Sequence, residues 1–352
     1  MVLYGKYMNF ISSSIICCCI SFFSIVAVAQ DYADAATYDD NALSHREKDD
    51  KGIWTAALEN DYFAGEDNGY TNGVRFSYIS PESDIPWWIE EAAYRVPFFA
   101  KEGHKRYSFS VGQAMFSPDD LTREDLIEDD RPYAGFLYGS VGLLTDTGYR
   151  LDNLQLTLGI VGESSLADHT QDYWHQLGGF VDPQGWDNQL KDELGVIVTY
   201  ERKWRAMYEF SPFGMAVDIS PFLGGSLGNV HTNLSTGATF RLGYDLPSDY
   251  GPPLIQPSIT GSDFFVPSHH IGWYVFAGFE GRAVARNIFL DGNSFKNSHS
   301  VDKKNFIGGF QTGIAFTYKN TRLAYTHIFR TREFDEQGNP DEYGAVTVSY
   351  RF

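Results

Sequence analysis

The 352-residue chain has almost no cysteine where a folded domain could use it. Cys17, Cys18 and Cys19 are all it has, and they sit together in an apolar N-terminal stretch. Lys6 precedes that stretch, Ile15 to Val28 forms its apolar core, and Ala27-Val28-Ala29 fits a small-x-small cleavage site. Residues 1–29 therefore read as an export signal, too short in its core for a transmembrane anchor. Ile16 before Cys17 argues against lipoprotein-type cleavage. Cutting after Ala29 leaves 323 residues without a cysteine, which excludes disulfides and leaves stability to packing or to a membrane.

Long apolar runs are missing too. After residue 29 none approaches the roughly 20 residues a membrane helix requires. Basic residues are scarce: 27 Lys and Arg face 46 Asp and Glu, a net charge of −19. Losing Lys6 with the leader makes it −20. Such a chain lacks the basic face that nucleic acid requires, so no nucleic-acid partner is expected. The same charge suits a self-repelling soluble surface or an acidic protein meeting anionic lipid through divalent cations.

Aromatic residues are abundant at 16%, with 22 Tyr and 27 Phe, and there are 34 glycines. Residues 30–51, rich in Asp and Ala, read as a flexible periplasmic lead. From Ile53 turn chemistry divides the chain into twelve segments. They fall near 52–62, 70–79, 105–116, 135–147, 151–161, 194–207, 213–227, 234–246, 271–285, 306–319, 320–332 and 342–352. Tyr107, Phe109 and Val111 alternate with Ser108 and Ser110; Val346, Val348, Tyr350 and Phe352 alternate with Thr347, Ser349 and Arg351. An even strand count with aromatic outer faces predicts an all-β fold, a twelve-stranded antiparallel transmembrane barrel over 52–352, in preference to a soluble β-sandwich or a lipocalin-like barrel. The terminal Phe352 resembles the signal read by the outer-membrane insertion machinery, an expected partner. Long connections fall at 80–104, 117–134, 163–193, 246–270 and 286–305.

Residues 163–193 interrupt this pattern with a helix and an ordered loop. Ser165 and Asp168 resemble a capping box, and Gly178-Gly179 offers a left-handed stop. Leu166, Thr170, Tyr173 and Leu177 form a stripe expected to pack on a wall, while Asp168, Gln171 and His175 stack on another face. Twelve strands enclose more space than side chains fill, so this helix is expected to plug or roof the lumen. A histidine on an amphipathic helix is more often structural than catalytic, so its neighbours matter. Asn60 and Asp61 would face opposite sides of a regular strand, and can serve one site only if the strand ends or bulges there. Arg131 among Asp129 and Asp130 reads as an ion-paired loop.

Asn60-Asp61, Tyr70-Thr71-Asn72-Gly73, Arg131-Pro-Tyr-Ala-Gly135, Gly162 with Gln171-x-x-x-His175, and Gly185-Trp-Asp-Asn-Gln-Leu190 recur in this order across nearly all of the mature chain. In this the chain resembles the outer-membrane lipid A 3′-O-deacylases and the wider group of bacterial barrels related to them. The resemblance implies a calcium-dependent outer-membrane esterase acting on the 3′-linked acyloxyacyl group of lipid A in lipopolysaccharide. The family's essential histidine falls on His175, its glutamine on Gln171, its Asn-Asp pair on Asn60 and Asp61, and its hydroxyl residue on Thr71. A basic substrate-binding residue, in the loop after Gln113-Ala-Met-Phe-Ser-Pro-Asp119, falls on Arg123. The family's glutamate six residues after the histidine is replaced by Val181, with Asp182 as the nearest carboxylate.

This assignment is chemically coherent. Ester hydrolysis needs a base to activate water, which suits His175, and a group such as Gln171 or Asp168 to orient its ring. Asn60, Asp61 and Thr71 offer hard oxygens suited to calcium at the developing oxyanion. Thr71 as a nucleophile is disfavoured, because the sequence places no base beside it. Two other classes compete: a non-catalytic barrel such as a porin, and a barrel phospholipase.

Overall fold

Alternation with a period of two dictates the architecture. The computed structural model describes residues 48–64, 69–96, 99–251, 263–268 and 270–352. The expected export signal over 1–29 and residues 30–47 of the expected lead lie outside the described residues. In chain order the strands are β1 (Ile53–Asn60), β2 (Gly69–Ile79), β3 (His104–Ser117), β4 (Ala134–Asp146), β5 (Arg150–Val161), β6 (Glu193–Trp204), β7 (Tyr208–Phe210), β8 (Ala216–Gly228), β9 (His231–Tyr244), β10 (Ser248–Asp249), β11 (Phe265–Val266), β12 (Ile271–Asn287), β13 (Phe306–Tyr318), β14 (Thr321–Arg330) and β15 (Asp341–Arg351). Twelve of them pair antiparallel in sequence order around a ring that β1–β15 and β6–β8 contacts close. These twelve correspond one to one with the expected segments. β7 pairs antiparallel with the start of β8, and β10 and β11 form a separate two-stranded sheet.

Trp54, Phe76, Phe109, Val141, Leu156 and Leu158 point outward and are exposed; Thr55, Ser77, Ser110, Ser140 and Thr157 point inward and are buried. The barrel thus shows an apolar belt outside and polar groups inside, as a bilayer-spanning barrel must. Short turns at 147–149 and 319–320 and both ends of the barrel segment lie at one end, the turn end. Most longer connections lie at the other, the loop end.

The lumen is packed rather than open. Near the turn end Arg75 pairs with Asp263 at 2.8 Å and Arg322 with Asp249 at 2.9 Å, while Arg241 bridges Asp218 and Asp249. Tyr250, Phe264 and Phe265 pack there against Ile53, Ile79, Leu144 and Leu151. At the loop end, the short helix Ile288–Asp291 stacks Phe289 on Phe116 with centroids 4.1 Å apart, beside Phe136, Ile197 and Val230. Burial of this kind is worth about 25 cal/mol per Å². Inward side chains that include Glu201, Ser220, Thr239, Glu280 and Gln311 line a cavity of about 60 Å³ within the lumen.

On the turn side, the connection between β2 and β3 carries helix α1 (Trp87–Ala93). Ala93 and Phe99 pack on Leu143, with Leu154 and Tyr200 alongside. This cluster shields Leu143 on a face that is otherwise exposed at Leu137 and Val141.

Candidate active site

β1 stops at Asn60, and Asp61–Ala64 forms a 3-10 turn. The side-chain oxygens of Asn60 and Asp61 both accept from the Tyr62 N–H, at 2.9 and 2.8 Å. The strand end therefore resolves the problem of two adjacent residues facing opposite ways. Asn60 registers with Asn72 of β2, and Asn72 with Met115 of β3. By alternation from Trp54, Phe76 and Val111, the side chains of Leu58, Asn60, Asn72 and Met115 lie on the outward face of the wall. Here, unlike lower down, that face is covered.

The cover is helix α2 (Ala167–Gly178). It is reached through a 3-10 turn, Glu163–Ser165, and Leu166 in the left-handed region at φ 58°. Leu166 is the N-cap and no side chain caps the helix, so the expected Ser165–Asp168 capping box does not form. Gly179 closes the helix at φ 69°, as the Gly-Gly stop predicts. Ala167, Gln171 and His175, spaced i, i+4, i+8, form the buried face. The expected apolar stripe is not the packing face: Leu166 is 52% and Tyr173 65% exposed. The side chain of Leu177 lies outside the described residues.

Nor does α2 plug or roof the lumen. A Cβ at Gly135, which shares the outward parity of Leu137 and Val141, would stand 2.0 Å from Ser165 Oγ and 2.3 Å from the Ala167 Cβ. Gln113, on the outward face of β3, donates to the Ser165 carbonyl at 2.7 Å. The helix leans on the outside of the wall, where the glycine makes room for it.

Between wall and helix lies a cavity of about 130 Å³, lined by Leu58, Asn60, Asp61, Asn72, Gln171 and His175, with Tyr62, Phe63, Met115, Trp174 and Phe180 completing it. His175 Nδ1 lies 2.5 Å from the Val181 carbonyl. A carbonyl only accepts, so Nδ1 carries a proton, and in the neutral imidazole the lone pair is then on Nε2. The Phe180 N–H donates back to the His175 carbonyl at 2.9 Å, and its ring meets both His175 and Tyr62, with centroids 5.6 and 4.8 Å apart. Neither Gln171 nor Asp168 orients the histidine. Gln171 instead accepts from Trp186 Nε1 at 2.7 Å. Asp172, on the same helix, has its carboxyl pushed up by burial and then by the nearby Asp168 and Asp182 carboxylates.

The structure thus gathers Asn60, Asp61, Gln171 and His175 around one cavity. Thr71 sits in β2 beside Asn72, within an irregular register against β3, and its side chain lies outside the described residues. Arg123 and Asp182 are exposed and do not line the cavity. Arg131 is buried and ion-paired, but with Glu333 at 3.1 Å and Asp341 at 3.5 Å, about 200 residues away, rather than with Asp129 and Asp130 of its own loop as expected. Burial works against the Glu333 carboxylate, yet Arg330 and Arg131 hold its carboxyl below the usual range. Three contributors escaped the sequence reading: Asn72, Trp186 and the Val181 carbonyl. Asn72 and Trp186 stand inside quoted motifs; a main-chain carbonyl leaves no trace in side-chain identity.

Asn72 Oδ1 is buried and has no hydrogen-bond partner among the described residues, an arrangement that proteins avoid unless something fills the place. With Asn60 and the Asp61 carboxylate it makes an all-oxygen donor set of low charge. Among the described residues no three His, Cys, Asp or Glu side chains cluster for a metal. The set therefore suits a hard cation completed by main chain, water or phosphate rather than a transition metal.

A closed twelve-stranded barrel with an apolar belt and a cavity on the outer side of its rim defines an outer-membrane barrel protein with a site at the lipid boundary. A family model described as "Outer membrane protein LpxR" matches residues 15–352, and the chain belongs to that family. Among solved structures, LpxR from Salmonella typhimurium matches with a TM-score of 0.68 and 19% identity, covering 85% of this chain and 99% of that one. The β domain of the Bordetella autotransporter BrkA matches at a TM-score of 0.39 and 12% identity, covering 86% and 99%. No curated protein sequence matches. The protein therefore resides in the bacterial outer membrane. The cavity lies at the loop end of the barrel, opposite the two ends of the barrel segment.

Proposed function

We propose that the protein is an esterase that removes the 3′-linked acyloxyacyl chain of lipid A, with His175 as general base and calcium as cofactor. The observation that carries this reading is the cavity itself, which opens between the outer wall and α2 rather than into the lumen. A lipid in the outer leaflet reaches it sideways, and the exposed Tyr62, Phe63, Leu166, Tyr173 and Trp174 give acyl chains an apolar approach.

In the first half-step, Nε2 of His175 takes a proton from a water molecule as the oxygen attacks the ester carbonyl. The Val181 carbonyl holds the imidazolium that results through Nδ1–H. In the second, Nε2 returns the proton to the leaving alkoxide, and the histidine is restored. Asn60, Asp61 and Asn72 would hold calcium, which when bound polarises an ester carbonyl and neutralises the developing oxyanion. Thr71, next to Asn72 in the chain, keeps in this reading the hydroxyl role that the resemblance implies. Arg123, exposed on a loop beside the site, is assigned to the phosphorylated headgroup; the exposed Asp182 carboxylate would meet that headgroup only through a bridging cation. The −19 charge of the chain is consistent with a cation bridging it to lipid phosphate.

The buried ion pairs of Arg75, Arg241 and Arg322 with Asp249 and Asp263 tie the connection after β9 to inward strand residues, which disfavours the porin reading. Phe352 at the end of the last strand supports delivery by the outer-membrane insertion machinery. Mass spectrometry of lipid A from cells with and without the protein tests the substrate. Loss of one 3′-acyloxyacyl unit supports the proposal, an unchanged profile removes it, and released lysophospholipid turns it toward a phospholipase.

A further inference from the structure

We infer that Trp186 is a positioning residue that decides which end of the Gln171 amide faces the substrate, and thereby makes Gln171 a hydrogen-bond donor rather than a metal ligand; this rests on the ester-hydrolase reading above. An indole N–H can only donate. Its partner 2.7 Å away must be the amide oxygen, so the orientation of Gln171 follows from chemistry. Reversing the amide would set two donors against each other in a site where Trp186 is 7% and Gln171 1% exposed. With Oε1 committed, the NH₂ group is the end left for the cavity. Nε2 is buried and has no hydrogen-bond partner among the described residues, in a cavity it shares with His175 and Asp61.

Trp186 is itself tightly held. Its ring packs on Tyr133 with centroids 4.9 Å apart, in a cluster with Met115, Leu121 and Ala167. A Cβ at Gly185 would stand 2.5 Å from the Tyr133 ring, so only glycine lets the turn sit this close. Leu190 N–H to the Tyr133 carbonyl and Asn188 Nδ2 to the Glu124 carbonyl, at 2.9 and 2.7 Å, pin the same segment. The stretch from Gly185 to Leu190 thus serves as a rigid post that carries one N–H. A neutral donor held in a desolvated site is suited to an ester oxygen as it gains negative charge.

The two possible roles of Gln171 separate on Gln171→Glu. The glutamate keeps the shape and can still accept from Trp186, but presents an oxygen where the NH₂ stood. A donor role predicts a fall in kcat of about 10²–10³, the range for losing one such donor, with KM little changed. A ligand role predicts retained activity and tighter calcium binding. Trp186→Phe keeps the ring and frees the amide; kcat should fall by a smaller factor, and by no further factor when added to Gln171→Leu. Multiplying effects would mark Trp186 as merely structural and overturn the inference.

A second readout does not depend on turnover. In protein labelled with ¹⁵N-tryptophan, the indole N–H resonance absent from Trp186→Phe should move upfield in Gln171→Leu. A resonance that stays in place overturns the inference. Wild type inert on lipid A with a resonance that moves would overturn the substrate reading and leave the amide orientation standing.

Discussion

The Nδ1 of His175 and the main-chain carbonyl of Val181 are 2.5 Å apart. That contact puts the proton on Nδ1 and orients the ring, and residue 181, where the resemblance to the lipid A deacylases implies a glutamate, supplies it from the main chain. What the site needs from residue 181 is its backbone position. Val181→Ala should therefore retain most of the activity. Gly179→Val, which forces a β-branched residue to φ 69°, should shift the turn that delivers the carbonyl and lower kcat. Steady-state kinetics on lipid A compares the two; equal loss in both would contradict the assignment.

Gly135 is the seat of the helix. Gly135→Ala puts a methyl 2.0 Å from Ser165 Oγ, and overpacking of this kind costs about 1–3 kcal/mol. The cost should fall on docking of α2 rather than on the barrel, lowering activity by about ten- to a hundredfold while heat-modifiable migration of the folded barrel is kept. Unchanged activity would mean that helix and wall need not touch.

Calcium affinity should follow the oxygen set on the wall. Asp61→Asn removes its one carboxylate and should raise the calcium concentration for half-maximal activity by about tenfold or more, since affinity of such sites tracks ligand charge. Asn72→Ala should raise it by less. Calorimetric titration of the purified protein reads the same shift without substrate; identical binding in all three proteins would move the cation elsewhere.

Asp172 supplies a pH-dependent test of α2. Its carboxyl is raised in the folded protein by burial and by the Asp168 and Asp182 carboxylates, so ionisation opposes the folded helix. The penalty is fully present above the folded value and vanishes as pH falls below the ordinary value of 3.8. Asp172→Asn should protect the α2 amides from hydrogen exchange at neutral pH by a few tenths of a kcal/mol, the scale of exposed charge pairs. The gain should disappear in acid. A gain that persists at low pH would point to another cause.

The barrel was largely legible because its signal is local: Tyr107, Phe109 and Val111 against Ser108 and Ser110 reports a wall with lipid outside and polar groups inside. The end of β1 at Asn60 was legible as a condition, since both Asn60 and Asp61 were needed at one place. The packing face of α2 was not. Apolar Leu166 and Tyr173 read as the buried stripe under the rule for water-soluble helices, yet at a lipid boundary the exposed side is the apolar one and Gln171 and His175 turn inward. The wall contact at Gly135 depends on strand parity between elements about 30 residues apart, and the Val181 carbonyl has no side-chain signature.

The most direct measurement is mass spectrometry of lipid A incubated with purified protein and calcium, beside a His175→Ala control. Wild type should release the 3′ acyloxyacyl group, and the variant should do so about 10²–10⁴ times more slowly, the contribution of a general base. Lipid A left intact by both proteins, or cleaved equally by both, would contradict the account.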